Sequence, residues 1–220
     1  MRVLTWNLFH GRSVPAAGRD LTPEFAATIA GWTWDVALLQ EVPPWWGPAL
    51  GRASGASART ALTSRNAGLP LRRAIAVRAP DLIKSNGGGA NTILVRGSTI
   101  LEHRKATLRV WPERRVMHAV RLDGGSWWAN FHAQVHSEER ALADARTAAR
   151  ALRSWSGGTG RLVLGGDANV RKPRAPGFAH LGGNNVDHVL AQGWTRVGAR
   201  LLDAGPLSDH EPVLVEIAPA

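Results

Sequence analysis

Apolar residues along this chain gather into short runs, and most of the runs stop at a polar side chain. Residues 1–7 read as a strand that ends on Asn7. Thr22 and Pro23 then offer an N-cap and a first helical position for a short helix to about residue 30. A buried strand is expected over 35–40, leading into Glu41, and Pro43, Pro44 and Pro48 make 43–48 a loop. Residues 49–84 show no clear period and are expected to be helical or irregular. Ser85-Asn86-Gly87-Gly88-Gly89-Ala90-Asn91 is a glycine turn ahead of a strand at 92–95. With no Gly-Lys-Ser/Thr after it, it is not a phosphate-cradling loop.

In the second half, runs at 115–122 and 126–132 are joined by Asp123-Gly124-Gly125, the signature of an antiparallel hairpin. Ser137 caps the one strong helical pattern, which runs to about Trp155 with Leu142, Ala145, Ala149 and Leu152 on one face and Gly157-Gly158 as its stop. A buried strand at 161–164 delivers Asp167 and Asn169, and shorter strands near 186–190, 195–202 and 213–217 follow. No internal repeat, linker or low-complexity tail interrupts the pattern, so one domain over 1–220 is expected. Mixed order with a hairpin argues against a doubly wound parallel sheet. It favours an α/β (α+β) chain with antiparallel or mixed sheets flanked by helices.

The polar stops are Trp6-Asn7, Gln40-Glu41, Asn130-x-His132, Gly166-Asp167-x-Asn169, Asp187-His188 and Ser208-Asp209-His210. A strand's last residue projects from the edge of its sheet, so six such runs can gather carboxylates, carboxamides and imidazoles at one rim. Such a rim is a metal and acid/base site. The chain has no cysteine, which excludes disulfides, thiolate zinc sites and a cysteine nucleophile and fits a reducing cytoplasm. With no apolar leader and no apolar run of membrane-spanning length, a soluble, cytoplasmic monomer without a membrane partner is expected. Lys and Arg number 27 against 17 Asp and Glu, a net +10 that favours an anionic partner. Compositional bias toward arginine produces the same excess, and both readings stand at this point. The ten tryptophans are expected mostly to pack the interior.

In this order the six motifs resemble the endonuclease/exonuclease/phosphatase superfamily, the DNase I-like group, over essentially the whole chain. The resemblance implies a four-layer α/β/β/α sandwich of two mixed, mainly antiparallel sheets flanked by helices. It also implies hydrolysis of phosphate esters with a divalent metal, Mg²⁺ or Mn²⁺. A phosphodiester repels hydroxide, so such a site needs a cation, a base for water, donors for developing charge and help for the leaving alkoxide. Glu41 offers a hard oxygen ligand, with Asn7 and Asp209 beside it. Asp167 resembles the residue that orients or deprotonates water, Asn169 would hold phosphate or that water, and Gly165 and Gly166 would allow close backbone approach. Taken alone, Gly-Asp-x-Asn is also a turn.

His210 resembles the imidazole on the scissile phosphate, and Asp187 its orienting carboxylate. His132 resembles a second histidine on the phosphate or the leaving group. In DNase I-like chains a glutamate holds that imidazole, and here no glutamate lies between Glu41 and Glu102. Asn91, Arg115 and Asn130 are the expected substrate-binding set, and His188 is read as structural. His10, His136 and the Trp45-Trp46 pair are candidates for the rim, with packing expected of the tryptophans and a surface loop of His136. The expected function is a metal-dependent phosphodiester hydrolase acting on nucleic acid, most of all DNA. The same site would also hydrolyse a small phosphorylated metabolite or a lipid headgroup. A noncatalytic scaffold of this fold would have shed site residues that this chain keeps.

Overall fold

The computed structural model describes residues 1–64, 66–79, 81 and 89–220. Two six-stranded sheets lie face to face. The first contains β1 (Arg2–Asn7), β2 (Val36–Val42), β3 (Ser57–Leu62), β4 (Ala90–Val95), β11 (Trp194–Leu201) and β12 (Val213–Pro219), in the order β11-β12-β1-β2-β4-β3. The second contains β5 (Ile100–Arg109), β6 (Arg115–Leu122), β7 (Trp127–His132), β8 (Leu162–Asp167), β9 (Ala179–Asn184) and β10 (Asp187–Gln192), in the order β5-β6-β7-β8-β10-β9. The described residues also form four α-helices, α1 (Thr22–Gly31), α2 (Gly47–Ser54), α3 (Leu69–Arg78) and α4 (Glu138–Trp155). The four-layer sandwich is therefore as expected. No described helix is long and apolar enough to cross a membrane.

The layers follow from which faces are apolar. Val3, Val36 and Leu38 of the first sheet meet Trp128, Val163 and Val189 of the second in a core between the sheets. The alternate residues Leu4, Ala37 and Leu39 face outward against Phe25 and Ile29 of α1 and Leu50 of α2. On the other side Ala141, Ala145, Ala148, Ala149 and Leu152 of α4 cover Phe131, Leu162 and Leu164. Small alanines let that helix sit close to the sheet. Central strands buried on both faces read as unbroken apolar runs in the sequence.

Each sheet has the same centre. β1 and β2 run parallel, joined through α1, and β7 and β8 run parallel, joined through α4. The strands flanking each pair, β12 and β4 in one sheet and β6 and β10 in the other, are antiparallel to it. At one end of the sandwich the carboxyl ends of both parallel pairs therefore meet the starts of β4, β6 and β10. That end carries the site.

Several boundaries differ from expectation. Leu21, not Thr22, precedes the first turn of α1, and Asp20 takes the capping role by accepting from the Thr22 backbone N–H at 3.1 Å and its hydroxyl at 2.6 Å. Gly47 and Pro48, expected in a loop, begin α2. Within 49–84 the structure has strand β3 as well as helices, and β5 and β9 were not anticipated. All three are edge strands, which bury little and so lack the apolar signature. The glycine turn expected over 85–91 has its first four residues outside the described ones.

Gly166 is the tightest point of the design. Its φ is +142°, and a Cβ there would collide with the Phe131 carbonyl oxygen on the neighbouring parallel strand. Gly166→Ala is expected to cost more than about 1 kcal/mol, because both backbone strain and strand separation oppose it. Gly124→Ala, where the space is open, should be near neutral. Thermal unfolding of the two variants side by side checks this, and equal melting temperatures would remove the close-approach argument.

Candidate active site

Alternation along each central strand decides which residues reach the rim. Val3 and Trp128 face the core between the sheets, so Thr5 and Asn7, and Asn130 and His132, lie on the same inward faces. On β8, Gly165 packs toward Leu38 and Asp167 ends the strand on that side. Strand register then makes neighbours. Asp167 pairs with His132 across the parallel ladder and with Asp187 across the antiparallel one. A carboxylate, an imidazole and a second carboxylate are thus set side by side by backbone pairing alone.

Glu41 breaks this alternation. Leu39 faces outward and Gln40 inward, so a regular strand would turn Glu41 away from the site. Instead the β2–β4 register shifts between Leu39 and Val42, and Glu41 adopts φ +49°. This bulge aims the carboxylate into the cleft, where Oε2 lies 3.0 Å from His10 Nε2.

The last motif is tied to the first. The Ser208 hydroxyl donates to the Asn7 carbonyl at 2.6 Å and accepts from the His210 N–H at 3.1 Å. The Trp6 indole donates to the His210 carbonyl at 2.9 Å. Neither Ser208 nor Trp6 was singled out from the sequence, although each lies inside a motif that was. Together they hold Asp209 and His210 over the end of β1.

The result is a cleft of about 340 Å³ lined by Asn7, Glu41, Asn91, Arg115, His132, Asp167, Asn169, Asp209 and His210, among others. Asp187 sits behind it, its Oδ2 2.7 Å from His210 Nδ1. Burial works against a charged imidazole, yet the hydrogen bond and charge of Asp187, helped by Asp167 and Asp209, raise His210 to about 9. Burial, and then the adjacent Asp187, push Asp167 up to about 6. His132 moves the other way, held well below its ordinary value by burial and by Arg115. At neutral pH His210 is therefore protonated, His132 is neutral and Asp167 is a carboxyl close to its titration point.

Nine of the eleven expected site residues line the cleft and Asp187 supports it. Asn130 is the correction. Two residues short of the rim, it is fully buried, donating to the Leu39 and Thr92 carbonyls at 2.8 and 3.0 Å and accepting from Gln40 Nε2 at 2.8 Å. It joins the sheets and cannot touch substrate. His188 is structural as expected, buried against the Val170 carbonyl and His180. Trp46 is buried and Trp45 packs beside it, whereas His136, expected on a surface loop, is exposed at the cleft wall. His10, Arg12 and Glu113 also line the cleft. Arg12 and Glu113 stand outside any motif, so the sequence carried no signal for them.

The glutamate that the resemblance called for has no counterpart at the expected place, and other acids approach His132. Asp167 Oδ2 is 3.4 Å from its Nε2 and Glu41 Oε1 is 4.0 Å from its Nδ1.

The donor set fits a hard divalent cation. Glu41 and Asp209 are carboxylates 23 and 45% exposed along their side chains, and thiolates are absent. Asn7 is less free. Its Nδ2 donates to Asp167 at 3.0 Å and its Oδ1 accepts from the Phe9 N–H at 2.9 Å, so its visible work is to orient Asp167. A second oxygen and nitrogen cluster, Asp167, Asp187 and His210, has ligand atoms within 4.8 Å of one another. There His210 Nδ1 and Asp187 Oδ2 already hydrogen-bond to each other at 2.7 Å.

The profile of the Endonuclease/Exonuclease/phosphatase family matches residues 4–210. The chain belongs to that family. Its members are phosphoesterase hydrolases that generally use divalent metals. Solved structures with the same fold include an endonuclease/exonuclease/phosphatase from Beutenbergia cavernae, 18% identical with TM-score 0.72, covering 100% of this chain and 71% of that one. A mannosyl-6-phosphatase from Bacteroides thetaiotaomicron is 15% identical with TM-score 0.73 over 99% of each chain. A humanized D. rerio TDP2 is 13% identical with TM-score 0.71, covering 99% of this chain and 98% of that one. No curated protein matches the sequence itself.

Because Asp187 outweighs burial at His210, Asp187→Asn should drop the imidazole from about 9 to a clearly lower value. Imidazole NMR across pH measures this directly. An unchanged titration would show that Asp187 is not the source of the shift.

Proposed function

We propose that this family member is a divalent-metal-dependent phosphodiester hydrolase acting on nucleic acid, with Asp167 on the attacking water and His210 on the phosphate. The observation that supports the chemistry is the meeting of His210, Asp167 and Arg115 in one cleft. His210, protonated through Asp187, donates to a phosphate oxygen and strengthens as charge develops there. Asp167, near its titration point, takes a proton from water while Asn7 and the Asn169 N–H hold its two oxygens. The departing alkoxide takes the proton that His210 holds, and neutral His132 offers its ring N–H as a hydrogen-bond donor to the phosphate. A cation held by Glu41 and Asp209 would supply Lewis-acid polarisation of the phosphoryl group.

A polymeric substrate is favoured by the net +10 and by where some of the charge lies. Arg171, Lys172 and Arg174 are exposed directly after Asp167 and Asn169 and could track a backbone leaving the cleft. The cleft volume of about 340 Å³ also suits a small phosphoester, and that is the second reading.

Turnover should require Mg²⁺ or Mn²⁺ and disappear with EDTA and in Glu41→Ala. A panel of plasmid DNA, single strands, RNA, bis-p-nitrophenyl phosphate and phosphomonoesters ranks the substrates. Full activity of Glu41→Ala in chelator would end the metal reading.

Binding to DNA by an Asp167→Asn, His210→Ala protein should weaken with salt by roughly 0.9 log unit per log unit of salt for each phosphate contacted. Fluorescence anisotropy over a salt series gives that slope. No binding at low salt, with faster turnover of a small ester, transfers the protein to the second reading.

A further inference from the structure

Nine of the ten tryptophans are buried or half-buried, and one is not. Trp111 is 73% exposed, beside Val110 at 75%. It stands on the β5–β6 connection, two residues before Glu113 and four before Arg115, both of which line the cleft. Apart from one guanidinium over its ring the indole is left in water, next in sequence to cleft-lining residues and open to a ligand.

The loop is fixed from below. Asp144 of α4, only 1% exposed, accepts from Arg109 Nε at 3.1 Å through Oδ1 and from the Gln134 backbone N–H at 2.9 Å through Oδ2. Arg109 leads into Val110 and Trp111, and Gln134 leads into Val135 and His136 on the cleft wall. One buried carboxylate therefore ties the tryptophan loop to the wall of the site. Arg140 carries its guanidinium over the Trp111 ring, 5.8 Å from its centre, and Arg114, three residues along the chain, is exposed.

Resting on the nucleic-acid reading above, we propose that Trp111 is the stacking platform for a nucleobase next to the scissile phosphate. An exposed aromatic ring with a guanidinium over one face matches the chemistry of one nucleotide, a flat base joined to an anion. A loop anchored at Arg109 by the Asp144 tie loses less freedom when a base stacks on its ring, and the exposure of that ring leaves little packing to lose on its removal. Trp111 sets which substrate is held and takes no part in the chemistry.

The test uses the full chain carrying Asp167→Asn, so that bound strands stay intact. Its affinity is measured for a single-stranded oligonucleotide and for the same backbone with every base replaced by a tetrahydrofuran abasic unit. Trp111→Ala should weaken binding of the base-bearing strand by roughly 5- to 150-fold, the range of one stacked base, and leave the abasic strand unchanged. Trp111→Phe should recover most of the loss. Equal weakening on both strands, or none on either, overturns the platform while leaving the nucleic-acid reading intact. Failure of the Asp167→Asn protein to bind either strand removes that reading and the platform with it. Binding to vesicles of phosphatidylserine and phosphatidylcholine that Trp111→Ala abolishes, with oligonucleotide affinity unaltered, assigns the exposed pair to a lipid surface and overturns the proposal.

Discussion

Asn130 lies between the two sheets with no exposed surface, and its carboxamide spends all its hydrogen bonds on the opposite sheet. Faces packed by apolar side chains alone can slide, because burial is non-directional. Hydrogen bonds to Leu39, Gln40 and Thr92 cannot. Nearer the rim Asn7 repeats the device, its Nδ2 on β1 holding Asp167 on β8. The site draws Asn7, Glu41 and Asn91 from one sheet and Arg115, His132, Asp167 and Asp187 from the other, so its geometry is only as good as this registration. Removing one partner would strand buried polar atoms at a cost of about 1–3 kcal/mol each.

Backbone strain gathers at the same end. Seven described non-glycine residues have positive φ, namely Phe9, His10, Glu41, His136, Asn169, Asn185 and Ser208. Five of them, all but Asn185 and Ser208, line the cleft. A left-handed residue with a side chain costs about 1–2 kcal/mol, so this clustering reflects demands of side-chain direction that regular strands cannot meet. Glu41 shows the reason most clearly, since alternation would point it at α1 and α2 and the bulge points it at His10 and His132 instead.

Much of this was legible in the sequence because the central strands are buried on both faces and end at the rim. Apolar runs gave their positions, and the polar residues closing them gave the donors. What stayed hidden has two physical causes. Edge strands β3, β5 and β9 bury only one or two residues each or none fully, so their composition resembles that of loops. Depth along a strand is the other cause. Asn130 and His132 sit in one motif on one face, yet a strand advances about 3.3 Å per residue, and two residues separate a rim side chain from one sealed between sheets. Residue type could not distinguish them.

The final ordering is electrostatic. His132 and His210 both border Asp167, and both are substantially buried, yet they titrate in opposite directions. Burial disfavours the imidazolium at each. His210 overcomes it through a carboxylate at 2.7 Å, whereas His132 faces Arg115 and, among the described residues, comes no nearer an acid than 3.4 Å from Asp167. One histidine is thereby fixed as a protonated acid and the other as a neutral ring that can offer only a hydrogen bond. Two identical side chains acquire two roles from their neighbours, with Asp167 between them kept close to titration by the same crowding. Moving Asp187 by one residue along β10 would reverse its face and dissolve the distinction, which is why strand register, more than the identity of any single group, decides what this rim can do.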